Sequence, residues 1–283
     1  MAGGALVAVI ARPESTADAT AVRVSAATLG EETFWSPSLG RQMAYVVYLP
    51  PGYATSPNHR YPVLYMLHGL GGNQESWRSD GLFSTAVGLM QQGAIAPFII
   101  VAPQGESGYW MDHSDNGPRF GTYVAKDLVG QIDAKYRTIP QREERAIGGM
   151  SMGAHGAFQL ALNHPDEFAV VGAHSVALRR KEQAFAFFGD EQYFKAHDPV
   201  SLAKKKPADA QRLTIWMDIG KDDPWYQAAS AYDQQLQTEN VAHAWHVYDG
   251  GHDDSYWAAH AGDYLRFYSQ ALSARLVGPV PQN

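Results

Sequence analysis

Arg145-Ala-Ile-Gly-Gly-Met-Ser-Met-Gly-Ala-His-Gly-Ala157 is the stretch that decides the fold. Its first six residues read as a short buried strand, and from Met152 onward small and apolar residues continue at helical spacing. Between the two, Gly149, Ser151 and Gly153 form G-x-S-x-G, the pattern of a serine held on a sharp strand-to-helix turn. The spacing has a mechanical reason. Such a serine takes strained backbone angles, and glycine two positions away on each side lets strand and helix pack close. With 27 glycines in 283 residues, a given serine is flanked this way by chance about once in a hundred. The pattern alone is therefore only suggestive, and its position between a strand and a helix carries the reading. The helix start directs free N–H groups and the positive dipole end toward Ser151, where an oxyanion would form.

Outward from this turn, short β-branched and aromatic runs alternate with longer segments of helical period. Strands are predicted at Val22–Ala26, Gln42–Leu49, Val63–Leu67, Phe98–Ala102, Arg145–Met150, Ala169–Ala173, Thr214–Asp218 and Ala244–Tyr248. Helices are predicted at Ser79–Gln92, Thr122–Tyr136, Met152–Asn163, Pro224–Thr238 and Ser255–Ala274. This alternation implies an α/β fold: a mostly parallel twisted sheet with helices on both faces, entered by an antiparallel meander. One domain spanning 21–276 absorbs nearly the whole chain, leaving an N-terminal extension at 1–20 and a tail at 277–283. Two connections fit no strand or helix unit, Gln104–Gly121 and Val176–Asp209, and long connections at strand ends are expected to wall a site.

Composition narrows the chemistry. The net charge of −7 disfavours a polyanionic partner, so no nucleic acid is expected. The absence of cysteine excludes disulfides, thiol catalysis and cysteine-based metal sites. No apolar run approaches the ~18 residues of a membrane-spanning helix. Residues 1–19 contain a short apolar run and an Ala17-Asp18-Ala19 triplet, but no basic residue precedes the run and Arg12 and Glu14 follow it. An extension is expected there rather than a cleaved signal, which favours the cytoplasm over export. His243-x-x-His246 is a close histidine pair, but a strand directs its side chains to opposite faces, and no H-E-x-x-H occurs. Neither metal nor cofactor is expected.

A serine hydroxyl needs an imidazole to take its proton and a carboxylate to fix that imidazole's tautomer. Eleven histidines compete. With the order nucleophile, acid, base, each after a late strand, His252 fits best: it follows the Trp245–Tyr248 strand and the Asp249-Gly250-Gly251 turn. Three aspartates lie within six positions at the end of the Thr214–Asp218 strand, and Asp223 is preferred. Asp218 is expected to end the strand and orient the turn, and Asp222 to face solvent or cap the next helix. A tetrahedral acyl intermediate also needs two donors, expected to be the N–H of Met152 and the N–H of Leu70 in His68-Gly69-Leu70-Gly71-Gly72. Gly69 is expected to border the substrate, and His68, ahead of the serine, to be structural.

With these residues placed, about residues 40 to 272 resemble the esterase-D-like branch of the α/β-hydrolase fold, which holds feruloyl and acetylxylan esterases, S-formylglutathione hydrolases and mycolyltransferases. The resemblance rests on Tyr61-Pro-Val-Leu-Tyr-Met-Leu-His-Gly-Leu-Gly-Gly72, Gly149-Met-Ser-Met-Gly-Ala-His-Gly-Ala157, Gly220-Lys-Asp-Asp223 and Gly250-Gly-His-Asp-Asp-Ser-Tyr-Trp257. In the feruloyl-esterase members the acid resembles the last residue of G-x-x-D and the base the histidine of G-G-H-x-x-x-x-W, which supports Asp223 and His252. The resemblance implies a serine carboxylic-ester hydrolase acting on small or aromatic esters. A thioesterase like S-formylglutathione hydrolase, or an acyltransferase, would use the same triad, and a non-catalytic binding protein would lack a triad member. Gly108-Tyr-Trp-Met-Asp-His-Ser114 is similar to the aromatic stretch that borders the acyl pocket in feruloyl esterases, which offers Tyr109 and Trp110 for stacking on an aromatic acyl group or sugar.

Overall fold

The computed structural model describes residues 27–276. The strand expected at Val22–Ala26, the extension at 1–20 and the tail at 277–283 lie outside them. Eight strands form one sheet in the order β1-β2-β4-β3-β5-β6-β7-β8. They are β1 (Thr28–Ser36), β2 (Arg41–Leu49), β3 (Val63–Leu67), β4 (Ile99–Pro103), β5 (Arg145–Met150), β6 (Val170–His174), β7 (Thr214–Gly220) and β8 (His243–Tyr248). β1 and β2 form an antiparallel hairpin, β2 runs antiparallel to β4, and every later pairing is parallel.

The central strands read as near-continuous apolar runs because both of their faces are covered. In β3, Val63, Tyr65 and Leu67 enter one core cluster while Leu64 and Met66 enter the other. The first cluster is completed by residues of α2 (Val129–Lys135), α3 (Met152–Asn163) and α4 (Tyr226–Thr238). The second is completed by α1 (Leu82–Gln91) and α5 (Asp254–Leu276). α5 comes very close to the sheet. Gly148 and Gly172 are register partners on β5 and β6, and a Cβ at either would lie 1.8 Å from the Tyr268 hydroxyl oxygen.

Three details depart from the sequence reading. β1 was not expected: Thr-Leu-Gly-Glu-Glu-Thr-Phe-Trp-Ser is an edge strand with much of its length exposed, so it carries no apolar run to betray it. The helix expected at Ser79–Gln92 is split into a short turn at Ser76–Ser79 and α1, because Gly81 takes a left-handed φ of 77° between them. The helix expected at Thr122–Tyr136 carries a π-helical turn at Tyr123–Leu128 ahead of α2. No helix of the described residues is long and apolar enough to cross a membrane.

Candidate active site

Ser151 stands between β5 and α3 with φ 56° and ψ −115°, a strained combination for a residue with a side chain. The flanking glycines are required by contact. A Cβ on Gly149 would lie 2.5 Å from the Gly153 carbonyl carbon, and one on Gly153 would lie 2.2 Å from the Leu67 carbonyl oxygen. The turn is locked to the next strand, since the Ser151 N–H donates to the His174 carbonyl at 2.9 Å. Strand, turn and helix thus hold the serine rigidly while its side chain reaches a cleft.

The structure brings Ser151, His252 and Asp223 into one hydrogen-bonded chain. The Ser151 hydroxyl lies 2.8 Å from His252 Nε2, and His252 Nδ1 lies 2.7 Å from Asp223 Oδ2. Asp223 is buried, and its other carboxylate oxygen accepts from the Trp225 N–H at 2.8 Å. A carboxylate accepting at Nδ1 puts the imidazole proton there and leaves Nε2 free to accept from the serine, the tautomer a general base needs. The loops that carry acid and base are themselves joined, because Lys221 N–H donates to the Tyr248 carbonyl and Asp222 N–H to the Gly250 carbonyl. Asp222 faces solvent, as expected. Asp218 does not end its strand: β7 runs on to Gly220, and Asp218 is buried in a separate polar network.

The Gly69–Gly72 loop closes the other side of the serine. An ideal Cβ on Gly69 would touch the Ser151 Cβ at 3.5 Å, so the loop backbone passes directly beside the nucleophile. Among the described residues the N–H groups of Leu70 and Met152 donate no hydrogen bond, which leaves both available to an oxygen bound next to Ser151. His68 is buried away from the serine. Its Nδ1 donates to the Gly69 carbonyl at 2.8 Å and its Nε2 accepts from the Gly105 N–H at 2.9 Å, so it shapes this loop. Burial lowers its pKa.

A cleft of about 780 Å³ opens over Ser151 and His252. Gly69 and Tyr109 border it, as expected. Trp110 does not: its ring is packed in the interior against Gly105 and Gly156, and its indole N–H donates to the His68 carbonyl at 3.2 Å. The long connections contribute little wall beyond Tyr109, Ala177 and Arg179, while the phenylalanines of the second connection pack behind Tyr109. Trp225 and Trp257, two aromatics that the sequence reading missed, also line the cleft, and Trp257 stands edge-on to His252. Each follows a triad residue closely in sequence, a signal that was available. Arg179 donates to the Tyr109 hydroxyl at 2.6 Å and lies over the rings of Phe185 and Trp225, a placement that nothing local in the sequence announces. The segment from Gly69 to Asp80 supplies more of the wall than either long connection.

Comparison with known proteins agrees with this fold. The family model described as "Putative esterase" matches residues 36–267. Over 147 residues, half of this chain, the sequence is 33% identical to an endo-1,4-beta-xylanase/feruloyl esterase of Xylanibacter ruminicola, 20% of which is covered. Over 153 residues, 52% of this chain, it is 35% identical to an esterase of Mycobacterium tuberculosis, 32% of which is covered. The chain therefore spans between a fifth and a third of the length of these curated relatives. Among solved structures, a ferulic acid esterase superposes with a TM-score of 0.79 at 26% identity, covering 87% of this chain and 99% of that one. An S-formylglutathione hydrolase of Staphylococcus aureus superposes with a TM-score of 0.73 at 20% identity, covering 87% and 100%. The fold is that of the α/β-hydrolases.

Proposed function

Since the chain belongs to the esterase family whose model spans it, we propose that it is a serine carboxylic-ester hydrolase acting through an acyl-enzyme on small or aromatic esters. The observation that carries the proposal is the unbroken Ser151–His252–Asp223 chain at 2.8 and 2.7 Å, on a strained turn that opens to a cleft. Ser151 Oγ attacks the ester carbonyl carbon as His252 Nε2 takes its proton, and Asp223 stabilises the imidazolium that results. The N–H groups of Leu70 and Met152 hold the oxyanion. Collapse of the tetrahedral species breaks the bond to the alcohol oxygen, which leaves with the proton from His252. Water then attacks the acyl-serine, giving one proton to His252, and the carboxylic acid departs as His252 passes that proton to Ser151 Oγ. Tyr109 and Trp225 line the side of the cleft that would take an aromatic acyl group.

The test is initial rates on p-nitrophenyl acetate, p-nitrophenyl decanoate, methyl ferulate and S-formylglutathione, with wild type and Ser151→Ala in parallel. The expected result is turnover of acetate or ferulate by wild type and loss of about five to six orders of magnitude in the variant. Preference for the decanoate or for the thioester would overturn the acyl or ester assignment, and unchanged rates in the variant would overturn the nucleophile.

A further inference from the structure

Asp80 is a buried carboxylate that lines the cleft and that the triad does not use. It follows the short helix Ser76–Ser79, and its own N–H donates to the Ser76 carbonyl at 3.0 Å, so its backbone is satisfied. Its side chain is not. The residue is 7% exposed, and Oδ2 has no hydrogen-bond partner among the described residues although it borders the same cleft as Ser151 and His252. Leaving a buried carboxylate oxygen unpaired is costly, and such orphans call for an explanation.

The neighbouring acids do not share this condition. Glu75 pairs with Arg78 at 2.9 Å, and Asp253 accepts from the Ser255 hydroxyl and the Tyr256 N–H. Asp254 is exposed in the first turn of α5, where the helix dipole favours it. Burial and the nearby Asp254 charge together push Asp80 up to about 7. The orphan atom of the ionised carboxylate is an acceptor, so the complementary group is a hydrogen-bond donor. The side of the substrate follows from the mechanism. His252 must hand its proton to the departing alcohol oxygen, and Asp253, Asp254 and Trp257, which follow His252 in the chain, line the cleft together with Asp80.

We propose that Asp80 is a specificity-determining residue whose carboxyl group receives a hydrogen bond from a donor-bearing alcohol portion of the ester, either a hydroxyl or an ammonium group. This rests on the esterase reading above. It assigns the Asp80 end of the cleft to the leaving alcohol and the end lined by Tyr109 and Trp225 to the acyl group.

The experiment compares kcat/KM for propyl acetate, glyceryl monoacetate and 2-(dimethylamino)ethyl acetate in wild type, Asp80→Asn and Asp80→Leu, read as the ratio of each donor-bearing ester to the propyl ester. Wild type is expected to favour at least one donor-bearing ester by about tenfold or more, the worth of a hydrogen bond to a charged group. Preference for the hydroxyl ester that survives in Asp80→Asn identifies a polyol alcohol, and preference for the amino ester that is lost in Asp80→Asn identifies a cation. In Asp80→Leu either ratio falls toward that of plain chemistry. The wild-type ratio needs no variant to fold. Turnover of all three acetates without preference, or a preference that survives in Asp80→Leu, overturns the Asp80 assignment alone, while no turnover of any of the three takes the esterase reading with it.

Discussion

Two carboxylate–histidine pairs are built from almost the same stretch of chain, with Asp218 and Asp223 five residues apart, yet they do different work. Asp218 lies 2.6 Å from His174 Nδ1 and Asp223 lies 2.7 Å from His252 Nδ1. The first pair has side chains that are 0% exposed on both partners, whereas His252 retains 20% exposure. The far nitrogen decides the outcome. His174 Nε2 ends on the Tyr268 hydroxyl at 3.0 Å, deep between the sheet and α5, while His252 Nε2 ends on a serine facing a cleft. Asp218 also accepts from Trp216 Nε1, Tyr256 and Tyr264, so every donor around it is satisfied and no group is left for chemistry. Two such pairs thus differ in what the second nitrogen meets: a buried phenol in one and, at a strand end, a serine beside a cleft in the other.

The buried pair still serves the exposed one. The His174 carbonyl holds the Ser151 N–H, and Tyr256, bound to Asp218 at 2.9 Å, stands in the first turn of α5 just beyond His252. Ser151 and the segment that follows His252 are therefore tied to the same polar cluster.

The largest effect that separates the pairs is on turnover. Ser151→Ala or His252→Ala is expected to lower kcat/KM by about five to six orders of magnitude, and Asp223→Asn by about four, with melting temperatures close to wild type. Rates and thermal melts on the same preparations check both halves. Asp218→Leu should invert that pattern. It strands the donors of Trp216, Tyr256 and Tyr264 and costs about 3–5 kcal/mol of stability, while kcat/KM per titrated active site falls by about tenfold at most. Chemical denaturation with active-site titration reads the two separately, and a loss of turnover as deep as that of Asp223→Asn would erase the distinction. Tyr268→Phe removes one hydrogen bond from the buried pair and is expected to cost about 1 kcal/mol, visible in the denaturation midpoint and absent from the rate.

The smallest effect concerns pH. An unfolded Asp80 ionises near 3.8 and the folded one at about 7, so folding binds a proton between those values. Wild-type stability therefore carries a contribution that is present in acid and lost as the pH rises through about 7. Asp80→Asn lacks that loss, and its melting temperature relative to wild type should rise by a few degrees between pH 4 and pH 8. A flat difference across that range would mean that Asp80 is solvated.

What the sequence disclosed and what it withheld follow from range. The turn at Ser151, the strand ends at Asp223 and His252 and the Gly69–Gly72 loop are local signatures: glycine spacing and strand-to-loop transitions sit within a few residues of the functional atom. Seven of the strands are written as apolar runs for the same reason, and β1 escaped because an edge strand alternates without one. The cleft walls were less legible. Tyr109 and Trp110 are adjacent and look equivalent in sequence, but only packing against Gly105 and Gly156 sends the tryptophan inward. Asp80 and Arg179 reach the cleft from segments far apart in the chain, and the Asp218–His174 pair joins two strands 44 residues apart. Such contacts depend on the sheet order, which no window of sequence contains.

Of these two pairs, we take the one ending on Ser151 to be the reactive one. The most direct test is covalent labelling with diethyl p-nitrophenyl phosphate, followed by intact mass and peptide mapping of wild type, Ser151→Ala and Tyr268→Phe. The account predicts one diethylphosphoryl adduct per chain, mapped to Ser151, absent in Ser151→Ala and formed at the wild-type rate in Tyr268→Phe. An unlabelled wild type, or an adduct that persists in Ser151→Ala, would contradict it.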